Sequence, residues 1–152
     1  MSEAALSSTE SQSLHRIAGM MIPASQEYDM PGADDQVIFA DIIGSLGRDL
    51  TDVRTALAAI SVLARGSFAD LDETRAAGVL EQFLASDGAP VSVLGRVILQ
   101  CYYRDGRVLR SLGLEARPPF PKGHTLEQGD WSLLDAVRAR PKLWRDDREV
   151  LR

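Results

Sequence analysis

Along the first two thirds of the chain, apolar residues recur at spacings of three and four, the mark of helices with one buried face. Leu14, Ile17, Ala18 and Met21 share a face of a first helix over Thr9–Ile22. Thr9 with Gln12 fits a capping box, and Pro23 stops the run. After a loop containing Pro31-Gly32, a second helix is predicted from Asp35 to Leu46, capped by Asp34 or Asp35 and ended by Gly47. Its stripe is Phe39, Ile43 and Leu46, with Ile38 and Ile42 beside it.

A third helix starts at Thr51 or Asp52 and repeats Val53, Leu57, Ile60 and Ala64, with Gly66 beyond its end. A fourth runs from about Asp70 to Ala85 with Ala76, Val79, Leu80 and Phe83 inward, its start marked by Ser67 and Asp70. A fifth begins at Pro90, carries Leu94, Val97, Ile98 and Cys101 on one stripe, and is expected to end at Gly106. A short sixth covers Val108–Leu112 and stops at Gly113. No stretch alternates convincingly with a period of two. The expectation is therefore all-α: a compact bundle of five to six helices over residues 9–113, preceded by a disordered N-terminus at 1–8. Pro23 and the Pro31-Gly32 turn are expected to set the angle between the first two helices. A positive φ at Gly32 would make a β-branched substitution there costly.

Beyond Gly113 the pattern breaks. Ala116–Asp130 holds three prolines and two glycines, which favour an extended, polyproline-like path. Residues 114–152 are read as an extended, Pro-rich C-terminal arm that serves partner binding. The arm carries Phe120, Leu126, Trp131, Leu133, Leu134 and Trp144. That many large apolar groups in water would be a liability, so the bundle or a partner should cover them. Trp131 and Trp144 either pin the arm to the bundle or anchor a partner; tryptophan and arginine are the residues enriched at interface hot spots. The candidate partner-binding residues are Arg117, Phe120, Trp131, Leu133, Arg138, Arg140 and Trp144.

Charge adds a modest asymmetry. The 152 residues carry 17 Lys+Arg against 22 Asp+Glu, net −5. Residues 1–76 hold five basic and twelve acidic groups, and 77–152 hold twelve and ten. This balance argues against a nucleic-acid binder, and no apolar run is long enough to span a bilayer. Met1–Ser13 lacks a basic region, an apolar region and a twin-arginine pair. The expectation is a cytoplasmic chain, periplasmic only if a leader is missing from this sequence or supplied by a partner.

Catalytic chemistry finds no foothold in the pattern. His15 and His124 lie far apart, and His15 has no ligand at metal spacing, so it reads as a surface or boundary histidine. His124 reads as a partner contact or a turn residue. The acids at Asp34-Asp35 and Asp70–Glu73 stand at helix starts, where capping explains them. No phosphate-binding glycine loop and no nucleophile elbow occur. Cys101, the one cysteine, reads as a buried structural thiol. No cofactor or metal is expected in this chain.

Three segments carry a resemblance. Leu14–Ala33 runs a helix into Ile22-Pro23-Ala24, then a short loop, then Pro31-Gly32-Ala33 and the acidic Asp34. Tyr102–Gly113 reads YYRDGRVLRSLG, and residues 117–124 read RPPFPKGH. Together they resemble the gluconate 2-dehydrogenase subunit 3 family, loosely over residues 14–145. The resemblance implies a non-catalytic small subunit that binds and stabilises a large flavoprotein of the glucose–methanol–choline type. In such complexes FAD sits in the large subunit, which oxidises a sugar, sugar acid or alcohol, and a cytochrome c often takes the electrons. The competing reading is a free-standing helical adaptor with no flavoprotein partner.

Overall fold

The computed structural model describes residues 5–86, 88–118, 120–123, 125 and 127–141. It divides into two compact units, Met1–Arg117 and Pro118–Arg152. The helices among the described residues of the first unit are α1 (Ser8–Met21), α2 (Gln36–Ser45), α3 (Leu50–Ala64), α4 (Glu73–Ala85), α5 (Ala89–Tyr102) and α6 (Gly106–Ser111). Short 3₁₀ turns at Gly47–Asp49 and Phe68–Asp70 lie between α2 and α3 and between α3 and α4. Among the described residues the one β-type feature is an isolated bridge between Ser25 and Met30.

α3 is the centre of the bundle, packing against α5, α4 and α1, while α2 packs against α5. Its buried stripe is Val53, Ala56, Leu57, Ile60 and Ala64. Leu14, Ile38, Ile42, Ile60, Phe68 and Ile98 are almost wholly removed from water. Each such side chain is worth roughly 1.5–3 kcal/mol relative to exposure, so the packing of these stripes dominates the unit's stability.

Most helix starts are written locally, though not always where the pattern puts them. Ser7, not Thr9, caps α1: its hydroxyl accepts from Glu10 N at 3.2 Å, and Glu10 accepts from Ser7 N at 2.7 Å. Asp35 caps α2. Asp72 caps α4, because the expected first turn is instead the 3₁₀ turn Phe68–Asp70, folded back so that Phe68 is buried. Arg16 of α1 secures that turn by donating to Ala69 O at 2.7 Å and Phe68 O at 3.4 Å. Gly106 does not end α5 but opens α6, since Asp105 caps a new helix there. On α2 the buried positions are Ile38 and Ile42, with Phe39 and Ile43 only half-buried, one position round from the expected face; Leu46, just past the helix end, is buried as expected.

In the second unit the chain is not extended throughout. Trp131–Leu134 forms a 3₁₀ turn that continues into a single helical turn, α7 (Asp135–Arg138), started by Asp130 accepting from Ser132 N at 3.0 Å. Every described residue from Pro118 onward is exposed.

Candidate functional site

The loop from Ile22 to Asp35 and the stretch from Tyr102 to Gly113 are far apart in sequence, and the fold brings them together. Ala33 N donates to Ile22 O at 2.9 Å, closing the loop at its base. Ser25 and Met30 exchange two backbone hydrogen bonds of 2.9 Å, so residues 26–29 form a four-residue turn, with Asp29 at φ 49°. The Tyr102 hydroxyl donates to Pro31 O at 3.0 Å, and the Ser111 hydroxyl donates to Asp29 O at 3.1 Å.

Gly32 is needed here for space and not for backbone conformation. The glycines at positive φ are Gly47, Gly66, Gly88, Gly113 and Gly123, so the expectation of a left-handed Gly32 does not apply. A Cβ on Gly32 would overlap Asp34 Oδ1 and stand 2.9 Å from Ala24 N and 3.2 Å from Ile22 O. A Cβ on Gly19 of α1 would stand 2.7 Å from Asp34 Oδ2. The Asp34 side chain therefore lies against two glycines, one on α1 and one in the loop.

Arginines from the second stretch lock this region. Arg107 donates to Asp35 at 2.6 and 3.2 Å and to Asp105 at 3.0 and 3.1 Å, so one guanidinium joins the N-cap carboxylates of α2 and α6. It holds both carboxyls below the usual carboxylate range. Arg104 binds Asp41 and Ser45 of α2 and lowers Asp41 in the same way. Sequence reasoning assigned Asp35 to capping and missed the ion pair, because its partner lies 72 residues away.

The candidate residues of the arm fall in both units. Arg117 belongs to the first, half-buried and ion-paired with Glu115. Phe120, Trp131, Leu133, Arg138 and Arg140 belong to the second. The Trp131–Arg138 turns bring Trp131, Leu133 and Arg138 onto one short helical segment. There Trp131 Nε1 donates to Gln128 at 3.4 Å and Arg138 pairs with Asp135 at 3.2 Å. Phe120, Leu133 and Trp131 are 85%, 76% and 61% exposed. Trp144, Leu126 and His124 lie outside the described residues. The bundle also exposes apolar surface, in a groove of about 340 Å³ between α1, α4 and α5 lined by Ile17, Met20, Met21, Phe83, Leu84 and Leu94.

Cys101 is buried on α5, and burial pushes its thiol up. His15 is exposed, edge-on to Phe39 with ring centroids 4.7 Å apart. Among the described residues no three His, Cys, Asp or Glu side chains stand close enough to hold a metal ion. No described helix is long and apolar enough to cross a membrane. Fold and site together define an all-α bundle followed by a second unit with exposed large apolar side chains. No family model, no curated protein and no solved structure matches the chain.

Proposed function

We propose that this chain is the non-catalytic small subunit of a flavoprotein oxidoreductase. It binds and stabilises a large FAD-dependent subunit of the glucose–methanol–choline type that acts on CH–OH groups of sugars or alcohols. In this reading FAD belongs to the partner. In complexes of the family it resembles, a cytochrome c often takes the electrons.

The observation that carries the reading is the row of large apolar side chains that the second unit leaves in water: Phe120, Trp131, Leu133 and Val137. Aromatic side chains exposed on a unit whose described residues are all exposed are what an obligate partner covers. Arg138 and Arg140 would pair at the rim of that contact. The resemblance names the partner class, and two of the three segments that carry it are joined here by Tyr102 and Ser111.

The test is isolation of the tagged full chain from cells that carry its own neighbouring genes. The expected product is a yellow complex with a polypeptide of several hundred residues that releases FAD on denaturation. Trp131→Ala should weaken the complex by about 2 kcal/mol or more, the size of a hot-spot residue. A colourless chain that purifies alone, as a free-standing adaptor would, overturns the reading.

A further inference from the structure

The turn at residues 26–29 is built more firmly than a surface connection needs. Its base is the Ser25–Met30 pair; its far side is tied to α6 through Ser111 and Asp29, and its exit to α5 through Tyr102 and Pro31. Ser25 Oγ also accepts from Tyr28 N at 3.4 Å. Every one of these bonds uses backbone of the turn or its flanks and leaves the side chains at the tip free. Tyr28 is 65% exposed, and none of the described residues holds its ring by a hydrogen bond or a ring contact. Leu112 follows Ser111 directly and is also exposed, so a second apolar side chain flanks the point where the turn meets α6.

The chain segment that carries Tyr28 has charge of one sign. From Ile17 to Gly47 the sequence contains five acidic residues and no Lys, Arg or His. Arg107 and Arg104 take up Asp35 and Asp41. Glu27, Asp29 and Asp34 are exposed and have no ion-pair partner among the described residues. Arg110, next to Ser111, lies back along α6 against Gly106. A rigid tip that offers a tyrosine between two uncompensated carboxylates complements an apolar pocket rimmed by Lys or Arg. Little ordering entropy would be lost on insertion, because the turn is already fixed. Tyrosine is among the residues that dominate interface energetics, and the flanking charges would steer and register the contact.

We propose that the Ser25–Met30 turn is a docking finger of the bundle. Tyr28 inserts into a Lys- or Arg-rimmed apolar pocket on the protein partner, and Glu27 and Asp29 face the cations. The identity of that partner as the large flavoprotein subunit rests on the function proposed above; the finger itself rests on the geometry of the turn.

The experiment uses the full chain and the partner it captures, identified by mass spectrometry, with affinity titrated at low and high salt. Tyr28→Ala is expected to weaken binding at least ten-fold with an unchanged thermal melt. Glu27→Lys is expected to weaken it several-fold at low salt and less at high salt, because screening removes the charge contribution. A flavoprotein bound equally well by Tyr28→Ala, or Glu27→Lys binding that does not respond to salt, overturns the finger and leaves the subunit function standing. A captured partner that is not a flavoprotein but loses Tyr28→Ala overturns the subunit function and supports the finger. A chain that captures no protein overturns both.

Discussion

Gly32→Ala gives the sharpest test of how the loop after α1 is packed. The added methyl would meet three groups: Asp34 Oδ1, Ala24 N at 2.9 Å and Ile22 O at 3.2 Å. The carboxylate ends an exposed side chain and can swing away, whereas Ala24 N and Ile22 O are backbone, and Ile22 O already accepts from Ala33 N. Overpacking of this kind costs roughly 1–3 kcal/mol. Loss of a glycine's freedom in the unfolded chain offsets about 0.4–1 kcal/mol of that. The net expectation is a loss of about 1–2 kcal/mol, a fall in Tm of roughly 2–8 °C at this chain length. Gly19→Ala is the internal contrast. There the close neighbour is the Asp34 side chain alone, and replacing glycine inside a helix gains about 0.5–1 kcal/mol. Gly19→Ala should therefore be neutral to stabilising, and more clearly stabilising in an Asp34→Ala background. Thermal melts of the single and double variants decide the matter. If Asp34→Ala restores the stability lost in Gly32→Ala, the backbone contact is not the cause and the reasoning fails.

Three further outcomes follow from the same structure. Asp35 and Asp105 are held below the usual carboxylate range by Arg107, so the stability they add is present above an unfolded carboxylate's pKa of about 4 and is lost as pH falls through their folded values. Arg107→Met should lower Tm at neutral pH and flatten the acid limb of the Tm–pH curve; an unchanged acid limb would assign the acid loss to other carboxylates. Cys101 should resist a thiol reagent in the native chain and react fully in denaturant, since it is buried and its thiol is pushed up; rapid native labelling would contradict its burial. Truncation after Arg117 should leave the cooperative melt of the first unit in place, and loss of that melt would mean that residues 118–152 complete its core.

The helices were legible in the sequence because what makes them is local. Stripes such as Val53, Leu57, Ile60 and Ala64 on α3, or Leu94, Val97, Ile98 and Cys101 on α5, recur within one or two turns and are buried as the period requires. The cap at Asp35 and the stop at Gly113 depend on neighbours a few residues away. Local signals also compete, and there the reading slipped by a residue or a turn. Ser7 with Glu10 closes a better box than Thr9 with Gln12, and Asp105 turns Gly106 from a stop into a start. The exposed aromatics of the arm were legible as a question, because apolar residues among prolines have no helical face to bury them.

What only the tertiary structure decided depends on residues far apart in the chain. Which face of α2 turns inward is settled by α5, and α4 starts at Glu73 and not Asp70 because residues 68–70 form a turn that buries Phe68 and whose carbonyls accept from Arg16. Asp35 pairs with Arg107 across 72 residues, and Pro31 meets Tyr102 across 71. Gly32 is required by the approach of Asp34 and Ala24, not by its own φ. Periodicity carries information over about one helical turn, whereas a contact between distant segments exists only once the whole core has fixed where each helix stands.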